Sequence, residues 1–319
     1  MSVLAGLLTF VATTAPPAAG NRLGSNGQIA FVRYDQLLDQ LTVYTVNPDA
    51  SHEQQLLPLP LECPRWSPDG TQVVRCGLTP TGATAFIDPD DGSFRTLEMP
   101  DPETLFTPCY VMSPDAARVV CEGFGQTDPS LNGIQTIRAS DGTDLTRMTS
   151  NPGGDDLPGD YSPNGKRFVF ARFDDEEQEE PVGLYVVKVN DQRLRQITAP
   201  GTIVTSPGDW SPQGNSIVFS RHVSAAMRNS LWVVQADGSG LREIRIDGQR
   251  CGGPIAEATT SGCFGPRWSP DGTKIVFDIF TPATGDNVYT ANADGTGLTQ
   301  ITSSGADDVP DWGTHPLAR

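Results

Sequence analysis

At 319 residues with a net charge of -17 and a pI near 4.4, the chain repels a nucleic-acid backbone and an anionic membrane surface alike. No segment approaches the roughly 20 consecutive apolar residues that span a bilayer. A hydrophobic content of 37% with 33 glycines and 27 prolines fits several small, turn-rich β units better than one large core.

The chain begins with an apolar stretch, residues 3–12 (VLAGLLTFVA), followed by the small and proline-rich residues 13–20. Residues 1–20 are read as a signal peptide or a disordered apolar leader. The basic start of a signal peptide is missing, since the first cation is Arg22, so an apolar tail on a cytosolic protein is the alternative. Asn26-Gly-Gln-Ile-Ala-Phe31 then reads as a strand, with Gln40-Leu-Thr-Val-Tyr44 and Gln54-Gln-Leu-Leu57 as the next two.

From there one pattern repeats. Trp66-Ser-Pro-Asp-Gly70 returns as Met112-Ser-Pro-Asp-Ala116, Tyr161-Ser-Pro-Asn-Gly165, Trp210-Ser-Pro-Gln-Gly214 and Trp268-Ser-Pro-Asp-Gly272, with a degenerate copy at Asp311-Trp-Gly313. The steps of 46, 49, 49, 58 and 44 residues suit propeller blades. In the fifth repeat, Pro266-Arg-Trp268 is a short first strand, and Ser269-Pro-Asp-Gly272 is a tight turn. Lys274-Ile-Val-Phe277, Asn287-Val-Tyr-Thr-Ala291 and Leu298-Thr-Gln-Ile-Thr302 are the second, third and fourth strands. No sustained 3.6-residue apolar period appears, so helices are expected to be scarce.

The two ends complement each other. The head supplies a second, third and fourth strand with no first, and Pro310-Asp-Trp312 is a first strand with nothing after it. The expected fold is all-β: a six-bladed β-propeller over 21–314, closed by one C-terminal strand on three N-terminal strands, with 315–319 as a tail.

The repeat of Trp268-Ser-Pro-Asp-Gly-Thr-Lys-Ile-Val-Phe277 and Asn292-Ala-Asp-Gly-Thr-Gly-Leu-Thr-Gln-Ile-Thr302 resembles that of TolB-type, or WD40-like, β-propellers over roughly residues 26–313. The resemblance implies six blades, export in bacteria and binding of a protein or ligand at the propeller mouths. TolB itself carries a further N-terminal α/β domain, for which this sequence has no room, so a role in the Tol envelope machinery is not implied.

Six cysteines fall into three local pairs, Cys63 with Cys76, Cys109 with Cys121 and Cys251 with Cys263. The first two pairs straddle a Ser-Pro-Asp turn and stand nearly opposite across two strands, within disulfide reach. Zinc is the rival reading; there is no CxxC, and His52, His222 and His315 are distant in sequence and read as turn, loop or tail residues. Disulfides place the mature chain in an extracellular or periplasmic space.

The repeated Trp66, Met112, Tyr161, Trp210, Trp268 and Trp312 are read as packing between blades, with a sugar-stacking site as the alternative. Acidic residues gather before first strands: Asp155, Asp156 and Asp160, Asp209, and Asp307, Asp308 and Asp311. Asp160, Asp209 and Asp311 are the candidate ligands of a hard cation such as Ca2+ in the channel. Arg65 and Arg267 occupy the same place in their repeats, which favours charge pairing around the ring over a metal site. The acidic run 174–180 reads as a solvated loop, or as a docking surface for a basic partner.

No GxSxG, HExxH, GxGxxG or Walker loop occurs, so no catalytic or cofactor residues are assigned. The expected function is an exported, monomeric scaffold binding a protein or ligand at a propeller mouth, with loops 96–107, 173–182 and 249–265 carrying recognition. The alternative is a hydrolase or lyase acting on a small molecule or glycan in the central channel.

Overall fold

The computed structural model describes residues 24–37, 39–57, 62–76, 84–97, 105–106, 108–125, 127–173, 182–223, 228–248, 251 and 262–318. These residues form an all-β protein whose one helical element is a short 3-10 turn, Pro129–Leu131. No helix among them is long and apolar enough to cross a membrane.

Strands β1 (Ile29–Asp35), β2 (Gln40–Val46) and β3 (Gln54–Leu57) form an antiparallel ladder. Next come β4 (Glu62–Trp66), β5 (Val73–Cys76), β6 (Thr84–Ile87) and β7 (Phe94–Leu97), again in order. The third group is β8 (Leu105–Phe106), β9 (Cys109–Met112), β10 (Arg118–Gly125), β11 (Gly133–Arg138) and β12 (Thr146–Arg147). Here both β8 and β9 pair with β10, so this sheet has five strands. The fourth is β13 (Asp156–Tyr161), β14 (Arg167–Arg172), β15 (Gly183–Lys188) and β16 (Leu194–Gln196). Then follow β17 (Asp209–Trp210), β18 (Ser216–Val223), β19 (Arg228–Gln235) and β20 (Arg242–Glu243), and after them β21 (Gly262–Trp268), β22 (Lys274–Thr281), β23 (Gly285–Asn292) and β24 (Thr299–Gln300). The described strands therefore count as five sheets, because one parallel bridge, Asn229 with Gly262, joins the last two groups into a single eight-stranded sheet.

The last strand, β25 (Asp307–Trp312), pairs antiparallel with β1, giving the order β25-β1-β2-β3. Ile29 stands opposite Trp312 and Arg33 opposite Asp307. The Arg33 guanidinium reaches both Asp307 and Glu53, so the pairing is fastened by charge as well as by the ladder. Gly27 N–H donates to the Gly313 carbonyl at 3.0 Å, and the Trp312 indole N–H donates to the Gly27 carbonyl at 2.9 Å. Gly27 is required at this seam, since a Cβ there would lie 1.9 Å from the His315 carbonyl oxygen.

The Ser-Pro-Asp-Gly turns work through side chains. In the first, the Ser67 hydroxyl donates to Asp69 Oδ1 at 2.7 Å and accepts from the Gln72 N–H at 2.9 Å. The Gly70 N–H donates to the Ser67 carbonyl, and Gly70 takes φ of +71°. The same serine pattern recurs at Ser113, Ser162, Ser211 and Ser269. In the Met112 repeat an alanine, Ala116, holds the left-handed position at φ of +56°, where a Cβ is disfavoured.

Second strands carry the core. Ile29, Phe31, Phe168, Phe170, Ile217, Phe219, Ile275 and Phe277 are fully buried. Side chains of neighbouring strand groups interlock in turn. Val74 and Phe86 meet Met112 and Val119; Val120 and Ile134 meet Tyr161 and Phe168; Leu184 and Ile197 meet Trp210 and Phe219; Val218 and Leu231 meet Ile275 and Phe277. The first group packs on the second through Ala30, Val43, Trp66 and Val73, and on the last through Phe31, Val46, Val276, Val288 and Trp312. Each repeated Trp, Met or Tyr thus lies at a boundary between strand groups.

Cys109 is bonded to Cys121 and Cys251 to Cys263. The expected Cys63 and Cys76 pair involves a side chain, that of Cys76, outside the described residues, as do most of the loops 96–107, 173–182 and 249–265 and the run 174–180. Two histidines differ from expectation. His222 lies within β18 opposite Asn229, because β18 runs on past the core. His315 is buried, not part of a loose tail, because its ring stacks on Trp66 with centroids 5.2 Å apart, and its Nδ1 donates to the Gly70 carbonyl at 2.9 Å.

Two stability outcomes follow. Trp210→Ala removes a buried indole from a packed boundary and is expected to cost about 3–5 kcal/mol in denaturant unfolding. Ala116→Gly relieves the left-handed alanine and is expected to stabilise by about 0.5–1 kcal/mol, read from the same midpoint shift.

Candidate functional site

Five of the six first strands end at a Ser-Pro turn and the sixth, β25, at Trp312-Gly313, so the residues before these ends gather at one end of the molecule. The residue before the repeated aromatic is Arg65, Val111, Asp160, Asp209, Arg267 or Asp311. Each stands at the same height: Arg65 opposite Val74, Val111 opposite Val120, Asp160 opposite Val169, Asp209 opposite Val218, Arg267 opposite Val276, and Asp311 opposite Ala30. Register shifts next to or just before this position in β4, β13, β21 and β25 turn the strand locally. Gly208 and Gly265 supply positive φ there, whereas Cys63 and Val309 adopt it at the expense of backbone strain.

The three carboxylates named from the sequence do come together, and they converge on an arginine. Arg65 NH2 lies 3.7 Å from both Asp160 and Asp209, and Arg65 Nε lies 3.8 Å from Asp311. Arg267 NH1 lies 3.6 Å from Asp209. Asp311 also accepts from the Trp66 N–H at 2.7 Å, and Asp209 from the Trp268 N–H at 2.8 Å. Two guanidiniums thus face three carboxylates. Among the described residues no group of three or more His, Cys, Asp or Glu side chains is arranged to hold a metal ion.

Above this charged floor lies a cavity of about 330 Å3. Its walls are the repeated Trp66, Met112, Tyr161, Trp210, Trp268 and Trp312. Its rim is the turn prolines Pro68, Pro114, Pro163, Pro212 and Pro270. The sequence showed these prolines only as turn formers; their fixed place after five of the six first strands was the signal that they share one mouth. The indole Nε1 atoms of Trp66, Trp210 and Trp268 are buried without a hydrogen-bond partner.

Burial and the neighbouring Asp209 push the Asp160 carboxyl up to about 7, against the opposing pull of Arg65 and Arg267. Asp209 is raised as well, by burial, although both arginines oppose it. A second cavity of about 370 Å3, bordered by Ser206, Phe264, Arg267 and Val309, holds Asp278, Asp286 and Asp308. Burial, with Asp308 and Asp286 nearby, raises the Asp278 carboxyl well above the usual carboxylate range. Sequence reading did not single out Asp278, which directly follows the repeated second-strand residues ending at Phe277, or Asp286, which lies at the start of β23.

No family model and no curated protein matches the sequence. Solved structures do. TolB from Acinetobacter baumannii superposes with a TM-score of 0.69 at 17% identity, covering 90% of this chain and 66% of that one. The fold is a TolB-type β-propeller. A putative TolB from Agrobacterium tumefaciens gives a TM-score of 0.64 at 20% identity, covering 92% of this chain and 94% of that one. An oligogalacturonate lyase from Vibrio parahaemolyticus gives 0.54 at 12% identity, covering 83% and 72%. The TolB-type propeller accounts for the layout of the site, because its inner strands all run toward the mouth where the turns lie.

The titrating groups set a pH profile. Asp160 at about 7 and Glu122, raised to about 8 by burial and by Asp155, bind protons more tightly folded than unfolded. Their contribution is therefore lost as pH rises from the ordinary carboxylate range through 7 to 8. Asp115, lowered by the Ser113 hydroxyl, and Asp141, lowered by Thr143, contribute stability that is lost as pH falls below that range. The thermal midpoint is expected to be highest near about pH 4–5 and to fall toward pH 8, with Asp160→Asn flattening the alkaline side.

Proposed function

We propose that this chain is an exported six-bladed propeller, closed by its C-terminal strand, that binds a protein segment or ligand at the mouth ringed by the Ser-Pro turns. The observation that carries the reading is the cavity itself: a rigid rim of prolines and tryptophans over a buried floor with excess negative charge. Apolar walls with a few converging polar groups are the usual build of a ligand pocket. Six strand groups, the β25 and β1 pairing and packing of the first group on both the second and the last support the closed six-blade count. Two disulfides fit an oxidising compartment, and the apolar leader supports export to it.

The likeness to the oligogalacturonate lyase favours one second reading, an enzyme acting on a glycan in the channel. The raised Asp160 carboxyl at the mouth supplies a candidate acid for it.

Capture from the secreted and envelope fractions separates these readings. The wild-type chain is expected to retain a partner that Pro163→Arg and Pro212→Arg, which plug the mouth, do not. Equal capture by the plugged variants would rule out the mouth, and turnover of oligogalacturonate by the purified chain would favour the enzyme. Deleting residues 306–319 is expected to abolish cooperative unfolding; an unchanged sharp transition would refute closure.

A further inference from the structure

Cations are scarce on this chain, 22 against 39 acidic residues, yet four of them line one small crevice. The crevice has a volume of about 220 Å3, lies between the fourth and fifth strand groups, and shares no wall residue with the mouth. Arg167, Lys188 and Arg195 stand on three adjacent strands, β14, β15 and β16. Arg167 is opposite Lys188, and Arg195 is opposite Val186, two places along β15 from Lys188, so all three side chains leave the same face of the sheet. That face is turned toward the next group, since Val169 and Val186 on it pack with Trp210 and Phe219. Arg193 joins them from the turn before β16, and Ala236 and Asp237, just after β19, close the far side.

Like charges set directly opposite each other destabilise a ladder, and the protein offsets them only in part. Asp191 holds Arg193 at 2.6 Å but lies 3.8 Å from Lys188. The Asp237 carboxylate accepts from the Ser239 N–H and hydroxyl, and it is the Asp237 backbone carbonyl that takes the Arg195 guanidinium. Arg167 is exposed, and its guanidinium has no hydrogen bond or ion pair among the described residues. Cations at the same register elsewhere are consumed within their own sheets. Arg118 on β10 binds Thr136 and Asp144, and Lys274 on β22 binds Asn292, which stands opposite it. In the fourth group Lys188 stands where Asn292 stands in the sixth. Four cations against two carboxylates leave two positive charges around an open crevice.

We propose that this crevice binds a phosphate group, either as inorganic phosphate or as a terminal phosphate monoester. A dianion matches the two uncompensated charges. Cations approaching from three strands can each take a separate oxygen, whereas a carboxylate is satisfied by one guanidinium fork. The volume has room for one phosphate group and part of its carrier, and the half-exposed Leu194 beside the cations gives that carrier an apolar wall. The acidic remainder of the chain repels a longer polyanion, so selection is for a single group.

Isothermal titration calorimetry on the full chain in phosphate-free buffer tests the assignment. Inorganic phosphate and acetyl-Gly-phosphoserine-Gly-amide are expected to bind at least about tenfold more tightly than acetate and the unphosphorylated peptide. Affinity is expected to weaken with added salt and to rise between about pH 5 and 7, as phosphate takes on its second negative charge. Arg167→Gln and Arg195→Gln, with melting temperatures checked against wild type, are each expected to weaken phosphate binding at least about tenfold. Arg138→Gln removes the same charge from the neighbouring strand group and is expected to leave binding unchanged. Binding of only one of the two phosphate probes supports the crevice and decides between the free ion and the ester. No binding of either probe at millimolar concentration, acetate binding as tightly as phosphate, or equal losses from Arg138→Gln and Arg167→Gln would each overturn the proposal.

Discussion

The pairing of β25 with β1 is the constraint on which the rest depends. It joins residues 29 and 312, the most distant ladder partners among the described residues. The first three strands own no inner strand until this pairing is made, and Phe31 and Val46 then pack against Val276, Val288 and Trp312. The seam is made of ladder hydrogen bonds, the Arg33 and Asp307 ion pair and a glycine contact that admits no side chain. Asp311, carried on the same strand, reaches both Arg65 and the Trp66 backbone. The seam and the mouth are thereby coupled: the residue that completes the charged floor arrives with the strand that completes the first sheet.

The floor shows how repetition makes a site. A single first strand offers one side chain toward the axis. Repeated strands of the same register bring those side chains to the same height, where their charges must be reconciled. Arginines in two repeats and aspartates in three give partial neutralisation, and Val111 contributes nothing electrostatic. Burial then makes the imbalance matter, because the mismatch appears as a raised Asp160 carboxyl and is not dissipated by solvent.

Much of this was legible in the residues. The spacing of the Ser-Pro turns gave the strand groups, and the orphan strand at Trp312 pointed to its place beside β1. Aligning the repeats placed Arg65, Arg267, Asp160, Asp209 and Asp311 at one position before any contact was known. What stayed hidden depends on tertiary detail. The extra strand Leu105–Phe106 is two residues long and pairs only with the far end of β10. The bridge of Asn229 to Gly262 follows from close approach of two neighbouring groups, which a local pattern does not encode. His315 looked like tail because nothing in its own segment announces that Trp66, some 250 positions earlier, presents a flat face to it. The unpaired indole donors were equally invisible, since a Trp in a repeat reads the same whether its N–H finds Gly27, as Trp312 does, or nothing.

The order of biosynthesis gives the seam a further meaning. Ribosomes deliver β1 long before β25, so the opening sheet waits with its inner edge bare while all the strands between them are made. An inner edge left bare in this way offers unpaired backbone groups to any other strand, so β25 also guards β1 against wrong pairing.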